Sequence, residues 1–257
     1  MQDFYKSGRY FFAIAIIAFG IIQFVTSNFM SAFLPITQSN NSGIILLYGY
    51  SSLFVISGVT LLFNKTARAG SLLAFFLFFL SILYPHLFNL ISNPQSVSEW
   101  TVMGETIVFC GGALIAVGMF SGNASARDRV LPLPKNKTTA GRILFAISLL
   151  ICGIQHFMYA EYIAPLVPAW IPFREFWVYF VGVAFFAGFI SLLFEIKTQL
   201  ASALLGFMYL FWVLCLHAPR VITYRNKETE WTSMFIALGF CGIFFMLVSP
   251  NELKKTR

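Results

Sequence analysis

The chain reads as an all-α polytopic membrane protein, with eight transmembrane helices arranged as two parallel four-helix-bundle repeats. Three observations predict this. Apolar residues fill 58% of 257 positions against 11% charged, with 31 phenylalanines and a mean hydropathy of +0.79, more apolar surface than a water-soluble core can hide. Apolar runs long enough to cross about 30 Å of hydrocarbon recur eight times along it. The sequence also repeats itself, since EWTVMGETIVFCG begins at Glu99 and EWTSMFIALGFCG at Glu230.

In chain order, the runs lie near Tyr10 to Thr26, Gly43 to Phe63, Ala69 to Ile91, Trp100 to Phe120, Arg142 to Tyr159, Phe176 to Phe194, Leu200 to Ala218 and Trp231 to Val248. Lipid offers backbone amides no partner, so each run is a helix. The first follows Lys6 and Arg9 as a signal peptide's apolar stretch would. No small-x-small cleavage site follows it and its pattern recurs deep in the chain, so it reads as a mature helix.

The repeat extends beyond the shared FCG. His86 falls on His217, Ser98 on Thr229, and Leu61, Leu62 and Phe63 on Leu192, Leu193 and Phe194, all 131 positions apart. Gly8, Arg9, Gly20 and Gln23 fall on Gly141, Arg142, Gly153 and His156 at 133. A register that aligns Glu, Trp, His and Cys together predicts a tandem duplication. Four helices per half, an even number, make the repeats parallel, related by an axis along the membrane normal. Residues 1–120 form the first repeat, the basic, proline-broken stretch 121–141 a cytoplasmic linker, and 142–257 the second repeat.

Orientation follows from basic residues in loops. With the N-terminus in the cytoplasm, 13 of the 17 lysines and arginines lie inside, and only Arg174, Arg220, Arg225 and Lys227 outside. Both termini are therefore expected on the cytoplasmic side of a bacterial inner membrane. Topology and anionic lipid headgroups account for the net charge of +7, so a nucleic-acid partner is not inferred.

The remaining polar residues collect at one depth, the outer ends of the helices. These are Gln23, His86 and Glu99 in the first half, and His156, His217, Arg220 and Glu230 in the second. LHAPR places His217 and Arg220 three residues apart, on one helix face if the turn persists, whereas Pro219 is expected to end or kink that helix. EYIAPLVPAWIPFRE holds Pro165, Pro168, Trp170 and Pro172, which rules out a regular span and reads as an interfacial lid. The plain alternatives are a rim hydrogen bond for each histidine, an N-cap at Ser98 or Thr229 followed by a first-turn acid, and an interfacial anchor at Trp100 or Trp231. Glu105 differs. It lies over a turn inside its helix, and Ile236 stands at its counterpart, so it is a functional candidate by its depth.

Cys110, Cys152, Cys215 and Cys241 all fall inside helices and form no CxxC pair, which argues packing over redox chemistry. No phosphate loop, dinucleotide fingerprint, HExxH, nucleophile elbow or metal-ligand spacing occurs, so no catalytic residue, metal or cofactor is expected.

The second half resembles the DoxX-like family of bacterial membrane proteins. The resemblance rests on the opening GR, GIQHF, VPAWIP, LHAPRV and the EWT before the last helix. The first half keeps GR, the histidine and EWT but has FLPITQSNNSG in place of the proline-rich segment. The resemblance implies a four-helix membrane unit associated with redox or thiol enzymes, and its positions here are His156, Pro168, Trp170, His217, Pro219, Arg220 and Glu230. The expectation is a non-catalytic membrane subunit with an outward-facing polar pocket. That pocket would serve a quinone-like ligand or a redox-enzyme partner through His156, Trp170, His217, Arg220, Glu230 and Trp231. The rival expectations are an oxidoreductase subunit acting on quinone or thiol, and a proton-coupled transporter using Glu105. The oligomeric state is left open.

Overall fold

The structure, a computed structural model, describes residues 2–34, 41–120 and 136–248. Among these residues the fold is all-α, with eight helical segments long and apolar enough to cross a membrane. The linker expected at 121–141 lies mostly outside the described residues. Its last part is already helix.

Six spans are single helices in the order expected, the first four of them α1 (Gln2–Thr26), α2 (Asn41–Leu61), α5 (Val97–Phe120) and α6 (Lys137–Met158). The third span joins α3 (Ala67–Ser81) to α4 (Leu87–Ser92) through a π-helical turn, Ile82–His86, which contains a cis bond before Pro85. Beyond α6 lie the short α7 (Ala160–Ile163), a 3-10 turn, and then α8 (Arg174–Phe194). The seventh span joins α9 (Thr198–Trp212) to α10 (Ala218–Thr223) through a second π-helical turn, Val213–His217, and α11 (Glu228–Leu247) is the last helix among the described residues.

Several boundaries differ from the sequence reading. Helix α6 starts at Lys137 rather than Arg142, because the Asn136 side chain accepts from the Thr139 amide at 3.2 Å and caps it. Neither Ser98 nor Thr229 is a cap. Ser96 accepts from the Glu99 amide at 3.3 Å, and α11 begins at Glu228. Pro219 does not end its helix, which runs on to Thr223. It sits in the first turn of α10, just after the π turn, where a missing amide hydrogen is tolerated.

Each span packs along the next in sequence, and α11 returns to lie along α1, with α5 also reaching α11. Helices α1, α5 and α11 occupy the middle: 61%, 67% and 72% of their spans are buried, against 28% for the seventh span. The other faces carry exposed Ile, Leu and Phe, as lipid requires. Two of the backbone-close crossings join the halves. A Cβ on Gly8 would lie 2.6 Å from the Gly242 carbonyl oxygen, and one on Gly111 would lie 2.7 Å from the Gly141 carbonyl oxygen. Only glycine allows helices this near.

Arg9 and Arg142 each reach the end of another span. Arg9 donates to Asn64 and, at 3.3 Å, to the Leu62 carbonyl, while Arg142 donates to the Leu192 carbonyl at 2.9 Å and pairs with Glu195. Each satisfies open carbonyls at the C-terminal end of the following span.

Candidate functional site

The interiors of the two halves are filled differently. In the first half, the stretch after α1 turns inward and buries Met30 and Phe33. The Phe33 ring lies 4.7 Å from Phe19, 5.2 Å from Phe78, 5.5 Å from Phe109 and 6.2 Å from Phe54, measured between centroids. In the second half, the proline-rich segment stays outside. Ala160 and Ala164 pack on Val178 as a small cluster separate from the main core, and Trp170 is 68% exposed. Where the first half has Phe19, Phe54, Phe78 and Phe109, the second has Cys152, Phe185, Tyr209 and Phe240 at the 133 and 131 offsets. The second interior therefore lacks one buried ring and carries a thiol in place of another.

Polar groups line this second interior. On α6, Cys152 and His156 are four residues apart and share a face; His156 Nδ1 lies 2.8 Å from the Cys152 carbonyl oxygen, and its ring meets Phe185 edge-on at 5.0 Å. Tyr209 on α9 and Val213 in the π turn after it are both buried and lead towards His217. Tyr209 packs on Trp212, Phe240 and Phe244 at 4.9, 5.3 and 5.7 Å. His217 lies within electrostatic reach of Arg220 and Glu230, and its Nδ1 is buried without a hydrogen-bond partner.

Glu105 belongs to α5, in the first half, yet it faces the second, within electrostatic reach of Cys152 and Tyr209. Beside it, Gly104 is buried, its carbonyl accepts from Ser148 Oγ at 3.1 Å, and a Cβ there would meet no atom within 4 Å. Glu105 and Cys152 lie deep among the helices but are only half-buried by surface area. The buried Gly104 therefore has open space beside it on the side facing α6.

At the rim, Arg220 and Glu230 satisfy each other. Arg220 Nε and Nη2 donate to the two carboxylate oxygens of Glu230 at 2.7 and 2.8 Å. Trp231 Nε1 donates to the Arg225 carbonyl at 2.9 Å, as Trp100 Nε1 does to Pro94, so both tryptophans tie down helix entrances. Of the residues singled out in the sequence, His156, His217 and Glu105 lie towards the interior, Arg220 and Glu230 form its rim, Trp231 packs at the edge of the main core, and Trp170 stands apart.

Sequence reasoning missed Tyr209, Cys152 and Gly104. The available signal was asymmetry between the halves at these positions: Glu105 stands against Ile236, Cys152 against Phe19 and Tyr209 against Phe78. The first half's own polar residues are buried, and there too Gln23 Oε1 and both His86 ring nitrogens lack a hydrogen-bond partner. Gln23 is 1% exposed and His86 0%, and the His86 ring lies against the backbone of Ala32 and Phe33.

Comparison of the chain with protein-family models, with curated proteins and with solved structures finds no match.

Proposed function

We propose that the chain is a DoxX-like integral membrane protein that arose by tandem duplication, and that its second half binds a small ligand, quinone-like in its apolar ring-sized body, without transforming it. The observation that carries this reading is the contrast of fillings: Phe33 occupies the first interior, while the second is left with polar side chains around a gap. Aromatic walls from Phe185, Tyr209 and Phe240 suit a flat body, and His217 Nδ1 offers an unspent hydrogen bond to a polar head. The paired glycine crossings support the duplication, since Gly8 and Gly242 recur as Gly141 and Gly111 at the same two offsets. In this reading the protein lies in a bacterial inner membrane, with its rim facing outward and both termini in the cytoplasm. A redox-enzyme partner would dock from the rim side.

Native mass spectrometry of the purified protein mixed with decylubiquinone tests the binding. One retained adduct is expected, lost in His217→Ala. Absence of any adduct on the unchanged protein would overturn the reading.

A transport reading draws on one observation, the π turns at Ile82–His86 and Val213–His217, which interrupt the third and seventh spans at matching positions. The sequence had shown no such paired interruption. Against transport stand the two glycine crossings, whose backbone contacts would have to part if the halves rocked. Uptake of the same quinone into liposomes, with and without a proton gradient, separates binding from transport.

A further inference from the structure

Glu105 has no basic neighbour to pair with and no hydrogen-bond donor among the described residues. The rim arginine does not serve, because its charge is already paired with the Glu230 carboxylate. An unpaired carboxylate in such a place is costly; uptake of a proton relieves it, and so does a cation brought by something else. The surroundings suit one. Tyr209, within electrostatic reach of Glu105, is the hub of a ring cluster with Phe185, Trp212, Phe240 and Phe244, and ring faces attract a positive centre that has left water. The gap beside Gly104 supplies the room.

We propose that the head group this pocket selects is a protonated nitrogen, with Glu105 as its counter-ion, so that the ligand class is a lipophilic aromatic amine. This inference rests on the pocket proposed above and changes what it prefers. A bare carbonyl head, as in a quinone, leaves Glu105 without a counter-charge. A primary ammonium supplies one, together with donors for the carboxylate and for the Tyr209 oxygen. An anionic head is disfavoured by Glu105. The amine enters head first, past His217, and lies deeper than the rim residues that the sequence alone brings to notice.

The test compares three probes on the purified protein in nanodiscs by isothermal titration: 1-naphthylmethylammonium, its neutral analogue 1-naphthylmethanol, and decylubiquinone. Naphthylmethanol partitions into lipid like the amine's body, so empty nanodiscs are titrated in parallel. The ammonium is expected to bind at least about tenfold more tightly than the alcohol. Glu105→Gln should bring the two to parity, and Glu105→Asp, which keeps the charge, should retain part of the preference. Equal binding of ammonium and alcohol to the unchanged protein overturns the proposal, and so does a preference that survives in Glu105→Gln. Because the first comparison needs no variant, it stands even if a Glu105 variant fails to fold. Binding of decylubiquinone but not of the ammonium overturns this inference and leaves the pocket intact. Binding of none of the three overturns both.

Discussion

Arg220 grips Glu230 through two bonds of 2.7 and 2.8 Å, joining α10 to the start of α11 across the loop between them. The side chain of Glu230 is 10% exposed and that of Arg220 35% exposed, so the carboxylate depends on this partner more than the guanidinium does. The pair holds the rim of the second interior in register.

Replacing Arg220 by Lys leaves a point charge that cannot make both bonds. With one partner a third exposed, solvent screening limits the cost to about 1 kcal/mol, or a fall of about 2–4 °C in thermal midpoint. Arg220→Ala should cost more, because it leaves Glu230 buried and unpaired. Differential scanning fluorimetry in detergent checks both, and a midpoint unchanged in Arg220→Ala would show that the pair holds nothing.

His217→Leu separates stability from binding. The substitution removes a buried nitrogen that has no partner, so the midpoint should hold or rise by up to about 1 kcal/mol of stability. Retention of decylubiquinone should fall in the same variant. A parallel loss of both would mean that His217 is structural.

Phe33→Ala empties the centre of the first half. A fully buried ring surrounded by four others should cost about 3–5 kcal/mol on removal, and the variant should gain an apolar cavity. Thermal unfolding measures the first effect. A second decylubiquinone adduct in the mass spectrum would register the cavity.

The glycine crossings predict a sharp contrast within one residue type. Gly8→Ala would set a methyl group 2.6 Å from both the Gly242 carbonyl oxygen and the Met246 amide nitrogen, backbone atoms that cannot turn away, so α1 must shift from α11. A loss of about 2 kcal/mol or more is expected. Gly49→Ala, on exposed helix with nothing within 4 Å, should be neutral or stabilise by up to about 1 kcal/mol. Melting curves of the two single variants decide it.

Topology is open to labelling. All four cysteines lie within spans, so a cysteine placed at Asn93, between α4 and α5, or at Lys65, between α2 and α3, reports its own side. Impermeant maleimide applied to intact cells should modify Asn93→Cys and spare Lys65→Cys. The reverse pattern would invert the orientation read from the loop charges.

The spans were legible because hydropathy reports the solvent, and the solvent acts on each run of residues separately. The places where a run departs from regular helix were less so. Nothing in VLCLH announces a π turn, and Pro219 points to a break that the chain avoids by widening the turn before it. The rim was legible in part. His217, Arg220 and Glu230 are marked by their rarity in an apolar chain, but that Arg220 and Glu230 neutralise each other depends on the path of the loop from Thr223 to Glu228. Trp170 was drawn into the expected site by its proline-rich neighbours, and the structure leaves it exposed because that segment packs on Val178 outside the bundle.

By itself the sequence determined that this protein dissolves in lipid as eight helices, since burying backbone amides and matching apolar length to the bilayer are properties of each segment alone. Only the tertiary structure decided that Glu105, carried by the first half, comes near Cys152 and Tyr209 of the second, and that Phe33 is buried in one half while the proline-rich segment stays outside in the other. Those outcomes depend on which helix faces which, and that is settled by close contacts such as Gly8 on Gly242 between residues far apart in the chain.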